Sequence, residues 1–231
     1  MPHAPITSKI EALSKISRAI TSDLYLEDIL KLIVTVTAQA MGSRICSLML
    51  LDERKGELVI RATQSISEAY NKKPPLKVKE GIAGKVILSK KPMQVWDVAR
   101  QVEYKYKDIA QKEGLKSLLC VPLIVKNKAI GVINLYTAKP HKFTPTEINL
   151  LNTIADQSAM VIENTRLIVE SKVIQEELET RKAVERAKGI LMKSQGLNED
   201  DAYRLMQKHS MDSRKSMRAI AEAIILAEEM R

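Results

Sequence analysis

The sequence predicts an α+β domain, with an antiparallel sheet flanked by helices, followed by a long connecting helix and an all-α three-helix bundle. Three observations support this order. Short apolar segments recur between residues 46 and 138, and Glu57–Gln64 alternates with a period of two, as in a half-buried strand. The segment after Pro145 contains no proline or glycine before Gly189, as a long helix requires. Beyond Asn198, apolar residues recur at helical spacing.

Composition places the chain among ordinary globular proteins. It has 231 residues, 45% of them hydrophobic and 28% charged, enough for one domain and a second small one. Cys46 and Cys120 each lie within an apolar run, outside any CxxC or Cys/His cluster, so we expect no disulfide framework, metal or other cofactor. The sequence has no apolar run of membrane-spanning length and no signal-peptide layout at its start. We therefore expect a cytoplasmic protein that does not contact membrane.

The net charge of +9 suggests a nucleic-acid partner, but its location weakens that argument. From Arg166 to Arg231 there are 13 Lys and Arg against 12 Asp and Glu, a balance of +1. Within this part, residues 181–218 carry ten basic and five acidic residues, with acidic residues on either side. A solvated helical face has the same pattern, so charge alone does not identify a site.

The first 41 residues predict two helices. A narrow apolar stripe of Ile10, Leu13, Ile16 (or Ser17) and Ile20 marks a helix within residues 1–23. We expect this helix to take part in dimerisation. A second helix is predicted over Leu26–Met41, ended by Gly42.

The next segment predicts antiparallel strands. Cys46–Asp52 and Glu57–Gln64 are joined by the short turn ERKG, and Leu115–Lys126 and Ala129–Ala138 by an NK turn. Ser65–Pro75 is expected to be a loop or a short helix. Gly81 and Gly84 frame the start of another short helix. The immediate antiparallel return after Asp52 indicates a turn aspartate and not the phosphoacceptor of a βαβ receiver domain.

A helix start signal follows the last strand. Thr144 can cap, Pro145 suits the first helical position, and Glu147 completes a capping box. This helix is expected to run from the first domain towards the second. Leu167, Ile174 and Leu178 give it a thin apolar stripe, which would suit a short parallel coiled coil.

Two shorter helices are predicted near the end of the chain. Asn198 caps the first, in which Ala202, Leu205, Met206 and His209 share a face. The second follows Ser213, and its apolar face is formed by Met217, Ile220, Ala221, Ile224 and Ala227. Four methionines are expected in the core of the bundle: Met192, Met206, Met211 and Met217.

Residues 24–167 resemble a GAF domain. The resemblance rests on EGIAGKVILSKKPMQVWDV and on GLKSLLCVPLIVKNKAIGVINLYTAKPHKFTPTEINLLNTIADQSAMVIEN. It implies a small-molecule ligand between sheet and loops, or dimerisation through the terminal helices. Phe143 and Glu147 match part of the cyclic-nucleotide pattern, but its Asn-Lys pair and second acidic residue are absent, so no cyclic nucleotide is expected. Cysteines in strands disfavour a bilin, and His141, in a loop and expected at the surface, disfavours haem.

Residues 181–231 resemble an ANTAR domain, and residues 168–180 then form a helical linker. The blocks AKGILM, GLNEDDAYRLMQKHSM and a closing alanine-rich helix occur in order within Glu185–Ile225. The resemblance implies a homodimer that binds paired RNA hairpin loops and stabilises an antiterminator against a transcription terminator. It makes the protein a signal-responsive RNA-binding antitermination regulator and not an enzyme.

The candidate RNA-binding residues lie in these blocks. Gly189 in a helix lets an RNA backbone or a partner helix approach closely, next to Ala187 and an expected exposed Lys188. Tyr203 is expected at the edge of the bundle, where its ring can stack on an unpaired base. Phosphate contacts are assigned to the remaining cations: Arg204, Lys208, Arg214, Lys215 and Arg218.

Two other functions compete with this hypothesis. The last two helices could imitate a DNA-binding helix-turn-helix, although IAEAIILAEEM makes a poor recognition helix because it is apolar and ends in acidic residues. A GAF-fold sulfoxide reductase needs two cysteines that meet at a surface, which Cys46 and Cys120 in separate strands do not suit.

Overall fold

The computed structural model describes Ser14 and residues 26–65 and 67–230. The chain divides into two compact units, one up to Arg166 and the other from Leu167 onwards. Apart from Ser14, the dimerisation helix predicted within residues 1–23 lies outside the described residues.

A six-stranded antiparallel sheet forms the centre of the first unit. Its strand order is β3-β2-β1-β6-β5-β4. The predicted hairpins β1/β2 and β5/β6 are confirmed, and β1 pairs with β6 in the middle of the sheet. Asp52 caps the first hairpin turn, as predicted, by accepting from the backbone N–H groups of Arg54 and Lys55 at 3.1 and 3.2 Å. The strands are β1 Ile45–Asp52, β2 Glu57–Thr63, β3 Leu76–Lys77, β4 Met93–Val95, β5 Leu118–Val125 and β6 Lys128–Tyr136.

Helices cover both faces of this sheet. The helix predicted over Leu26–Met41 is present with those bounds, and Gly42 ends it at a φ of +58°. It packs on one face together with the start of the long helix, whereas the helix Gly81–Ser89 packs on the other. The α+β fold class is therefore confirmed. The helices of this unit are α1 Leu26–Met41, α2 Glu68–Asn71, α3 Gly81–Ser89 and α4 Lys107–Lys112.

Alternation along the strands directs the two cysteines to opposite faces. Cys46 belongs to the apolar cluster under α1, and Cys120 to the cluster under α3. Both are fully buried, and burial raises the pKa of each thiol above its ordinary value. Their predicted place in the core is confirmed. Because the sheet lies between the two side chains, the two thiols cannot meet in one site.

Gly84 allows α3 to lie against the β3 segment. A Cβ atom at this position would lie 2.3 Å from the carbonyl oxygen of Val78, so a larger residue would force backbone to move. Gly81, at a φ of +66°, makes the turn into the helix. The two glycines thus frame the helix start, as predicted.

The long helix α5 spans Pro145–Gln195, which is 51 residues, and it continues through Gly189. Its predicted capping box is present: the Thr144 N–H donates to Glu147 Oε2 at 2.7 Å, and the Glu147 N–H donates to Thr144 Oγ1 at 3.3 Å. His141 was expected at the surface. It is half-buried instead: its ring packs edge-to-face against Phe143 at 4.9 Å, and its Nε2 lies 3.1 Å from both carboxylate oxygens of Glu147.

The second unit packs the end of α5 against α6 (Glu199–Ser213) and α7 (Met217–Glu229). Asn198 caps α6 as predicted, accepting from the Asp201 N–H at 2.8 Å. Ala202, Met206 and Ala221 are buried at the centre. Of the four methionines predicted in the core, Met206 is buried and Met217 is half-buried, but Met192 and Met211 are exposed. His209 and Ala227, which were predicted to share a helical face with core residues, are exposed as well.

Candidate functional site

Lys188 lies in the interior of the C-terminal bundle, which corrects the expectation that it is exposed. Only 9% of its side chain is accessible. Its Nζ lies 2.9 Å from Glu185 Oε1, one turn earlier on α5, and 2.7 Å from Glu199 Oε1, the first residue of α6. The lysine therefore ties α5 to the start of α6.

The two carboxylates neutralise the Lys188 charge. The hydrogen bonds that Lys188 donates to Glu199 and Glu185 raise the pKa of Lys188, and the bond that Glu199 accepts from Lys188 lowers the pKa of Glu199. The ion pair between Lys188 and Glu199 therefore stabilises the folded protein fully only between the ordinary pKa values of glutamate and lysine, about 4.3 and 10.4. This stabilisation is lost when the pH falls through the lowered pKa of Glu199, and it is also lost when the pH rises through the raised pKa of Lys188.

Replacing Lys188 by methionine is expected to lower the Tm while leaving the salt dependence of nucleic-acid binding unchanged. The variant keeps most of the buried side chain but loses both ion pairs, and the ammonium that it removes is held by two carboxylates and not available to a phosphate. Thermal melts at pH 7 and pH 3 measure the first effect, and the Tm difference should shrink at pH 3. A salt slope flattened by about one unit would show instead that Lys188 contacts phosphate.

Ala187 and Gly189 flank Lys188 in different environments. Ala187 is fully buried in the core of the bundle, so its side chain packs against α6 and α7 and offers no accessible surface. Gly189 is half-exposed, and a Cβ atom there would meet no other atom within 4 Å. Packing inside the described bundle therefore does not require a glycine at position 189.

Tyr203 lies at the edge of the bundle, as predicted, with 44% of its surface accessible. Its ring lines an open groove between α5 and the two shorter helices. The apolar part of the groove comes from Val173, Val184 and Met217. Three carboxylates and one guanidinium also line it: Glu176, Glu177, Glu185 and Arg181. This groove favours a flat, largely neutral group over a phosphate.

The predicted cations lie outside the groove. Arg204 and Lys208 are one turn apart on the solvent side of α6, and Arg214 and Lys215 lie in the link to α7. All four side chains are exposed, and none forms an ion pair with the residues that the structure describes. Arg218 differs, because its Nε donates to Glu222 Oε1 at 2.7 Å. Four exposed cations without an ion pair in the described chain therefore lie along the solvent side of α6 and in the link that follows it.

Two residues that were not among the candidate RNA-binding residues share the solvent side of α6. Gln207 follows Tyr203 by one turn and Met211 follows Gln207 by one turn, and both side chains are exposed. The helical spacing from Tyr203 could have identified them. Met211 was assigned to the core because methionine is usually buried.

A second candidate site lies inside the first unit. Tyr70, Tyr104 and Tyr136 line a small cavity next to Lys73 and Asn134. The Ser47 and Tyr70 hydroxyls are 2.8 Å apart, and the Tyr104 hydroxyl donates to that of Tyr136 at 3.3 Å. The sequence predicted no residue of this cavity.

Neither a metal cluster nor a membrane span is found in the described part of the chain. No group of three His, Cys, Asp or Glu side chains in residues 26–65 and 67–230 could hold a metal ion. None of the helices there has both the length and the apolar character needed to cross a bilayer.

The first unit is similar to GAF domains of known structure. The GAF domain family matches residues 24–163. The GAF domain of a phosphoenolpyruvate-protein phosphotransferase from Coxiella burnetii aligns with a TM-score of 0.64 and 26% identity, covering 72% of this chain and 99% of that one. The free methionine-R-sulfoxide reductase of Neisseria meningitidis shares the fold at 20% identity and a TM-score of 0.60, covering 71% of this chain and 95% of that one.

Curated relatives match each unit separately. The phosphoenolpyruvate-dependent phosphotransferase system protein of Escherichia coli is 25% identical over 155 residues, which are 67% of this chain and 21% of that protein. The transcriptional regulatory protein PdtaR of Mycobacterium tuberculosis is 44% identical over 63 residues, which are 27% of this chain and 31% of that protein. The chain thus spans between a fifth and a third of the length of these relatives.

The second unit contains a family match of its own. The ANTAR domain family matches residues 172–225, the end of α5 together with α6 and most of α7. It follows the GAF match in the order predicted from the sequence, which confirms both resemblances. The chain therefore belongs to the GAF domain family and carries an ANTAR domain after its GAF domain.

Proposed function

We propose that this protein is a transcription antitermination regulator whose GAF domain senses a signal and whose ANTAR domains bind paired RNA hairpin loops as a dimer. The ANTAR match and the 44% identity with a transcriptional regulatory protein support the regulatory part. The protein acts by binding and not by catalysis. Because it acts on nascent transcripts, its place is the cytoplasm.

The observation that carries RNA binding is the position of Tyr203 between two unlike surfaces. On one side, the groove offers apolar walls and carboxylate acceptors, which suit an unpaired base and its amino groups. On the other side lie Arg204 and Lys208, with Arg214 and Lys215 nearby, which suit phosphates. Tyr203 supplies a ring on which the base stacks as the strand passes from one surface to the other.

Duplex DNA fits this arrangement poorly. The last helix would have to enter the major groove, but Ile220, Ile224 and Ile225 pack against the core of the bundle. Its solvent side carries Glu222, Glu228 and Glu229. Arg218, its first basic residue, is paired with Glu222.

Filter binding of the full chain to RNA and DNA of matched sequence tests this function. The RNA probe is a pool in which each molecule carries two short hairpins with randomised loops, so no target needs to be known. We expect enrichment of particular loop sequences, and weak, unselective binding of the corresponding duplex DNA. Equal or tighter binding of the DNA would contradict RNA recognition and favour a DNA-binding regulator.

The dimer is expected to form through exposed apolar residues on α5. Leu167, Ile174 and Leu178 are 49%, 65% and 50% exposed and lie on one side of the helix. Changing Ile174 and Leu178 together to aspartate places like charges in this stripe and should raise the dimer dissociation constant at least about tenfold. Sedimentation equilibrium measures this constant.

Val169→Asp is the matched control, since Val169 is 53% exposed but lies on the opposite side of α5. A wild-type monomer, or equal weakening by the control, would contradict dimerisation through this stripe.

Gly189→Ala is expected to stabilise the protein while weakening RNA binding. Alanine in a helix is more favourable than glycine by about 0.5–1 kcal/mol, and the site has room for the methyl group. If RNA passes close to the backbone here, the methyl group obstructs it. Ser194→Ala, also exposed on α5, should leave RNA binding unchanged. Thermal melts measure the stability and filter binding measures the RNA affinity. Unchanged RNA affinity in Gly189→Ala would show that RNA does not pass close to Gly189.

A further inference from the structure

The cavity in the GAF domain contains a cation without an acceptor. The Lys73 Nζ lies 3.6 Å from the centroid of the Tyr70 ring, 5.4 Å from that of Tyr106 and 5.6 Å from that of Tyr136. Within the described chain, the Lys73 side chain has no hydrogen bond or ion pair. An ammonium group has three N–H donors, and the contact of its charge with the tyrosine rings does not satisfy all of them.

Asn134 provides a second unused polar group in the same cavity. This residue, on β6, is only 4% exposed, and its carboxamide lines the cavity. It has no side-chain hydrogen bond to any other described residue. Because neither group has a hydrogen-bond partner in the described chain, the carboxamide and the ammonium together leave donors for a ligand in the cavity.

The charges around the cavity favour an anion with a single charge. No Asp or Glu is among its lining residues, and two lysines are. Lys105 is paired with Glu80, which leaves Lys73 as the one cation of the lining without an ion pair. Burial raises the pKa of Tyr70 and Tyr136 and raises that of Tyr104 to about 12, so these tyrosines remain neutral hydroxyl groups.

The space available limits the size of the ligand. The cavity measures about 30 Å³, which holds one or two water molecules. A nucleotide or an aromatic ligand would have to displace Lys73 and open the wall of tyrosines. A ligand of three or four non-hydrogen atoms needs little more space than this and can enter with little rearrangement.

We propose that the GAF cavity binds a compact monovalent oxyanion, of the size of formate, acetate or nitrate, on the Lys73 ammonium and the Asn134 carboxamide. The oxygens of the anion accept from these donors, while the tyrosine rings form the walls. That this anion is the signal controlling the ANTAR domain rests on the proposed function. The binding site itself does not.

Binding is expected to depend on pH in one direction. Burial lowers the pKa of Lys73 to about 7, although the charge of Glu113 opposes this. The anion needs the ammonium form, so affinity should be constant below pH 7 and fall about tenfold for each unit above it. The other groups facing Lys73, which are Tyr70, Tyr104, Tyr106, Tyr136 and the paired Lys105, have pKa values raised above 10 and do not titrate there.

Calorimetry with the full chain tests the site, using sodium formate, acetate and nitrate at constant ionic strength. For at least one of them we expect a saturable one-site isotherm at pH 6.5 that weakens about tenfold between pH 7.5 and 8.5. Lys73→Met should reduce affinity more than tenfold, and Asn134→Asp, which adds a negative charge, should abolish binding. Lys72→Met is the matched control, because Lys72 is an exposed neighbour paired with Glu68, and it should bind as wild type does.

The wild-type titration is decisive even if a variant fails to fold. Absence of saturable binding for all three anions, affinity independent of pH, or equal affinity in a folded Lys73→Met variant would overturn the site. RNA binding without anion binding would overturn this inference alone. Anion binding by a chain that binds no RNA would support the cavity site and contradict the function proposed for the ANTAR domain.

Discussion

Replacing Tyr203 by alanine is expected to weaken RNA hairpin binding by about 1–3 kcal/mol, which is roughly fivefold to 150-fold. The ring is 44% exposed at the mouth of the groove, so an unpaired base can reach it. Stacking is short-ranged and carries no net charge, so the dependence of log affinity on log salt should keep its slope. Filter binding at several salt concentrations, with an RNA selected from the hairpin pool, measures both quantities.

Tyr203→Phe is the matched control for this substitution. It keeps the stacking surface and removes only the hydroxyl, so its affinity should lie close to that of wild type. Thermal melts should show that both variants are folded, because the ring is at the edge of the bundle and not in its core. Wild-type affinity in Tyr203→Ala would make the tyrosine an aromatic residue at the rim without a role in binding.

Changing Arg204 and Lys208 together to alanine is expected to lower RNA affinity and flatten the salt slope by about two units. Both side chains are exposed without an internal ion-pair partner in the described chain, so their charge is available to phosphates. The Tm should change little, since alanine favours the helix and neither residue contributes to the core.

The double change Arg54→Ala and Lys55→Ala is the matched control for the Arg204 and Lys208 variant. It removes the same net charge from an exposed turn of the GAF domain. Its salt slope should equal that of wild type. A similar loss in both double variants would mean that RNA responds to the overall charge of the protein and not to the solvent side of α6.

Local signals made the order of elements predictable. The hairpin turns, the capping box at Thr144 and the Asn198 cap each depend on residues within a few positions of one another. Lys188 was misjudged because its burial depends on Glu199, on another helix, which approaches only once α5 and α6 have packed. A periodic pattern assigns faces within one helix and does not show which charges meet across two.

The GAF cavity was not predictable for a similar reason. Tyr70, Tyr104 and Tyr136 lie more than 30 positions apart and meet because α2, the loop before α4 and the end of β6 reach the same face of the sheet. Lys73 follows the short helix α2 in a segment for which the sequence indicated only a loop or a short helix. Its contact with the tyrosines arises from the tertiary structure.

Transcription through a terminator tests the central claim most directly. The template places a selected two-hairpin RNA before a terminator whose stem overlaps the second hairpin, and the full-length transcript is measured against protein concentration. The account predicts that readthrough rises with wild-type protein in parallel with RNA binding, and that Tyr203→Ala shifts both curves by the same factor. Unchanged termination at concentrations that saturate the RNA would contradict it.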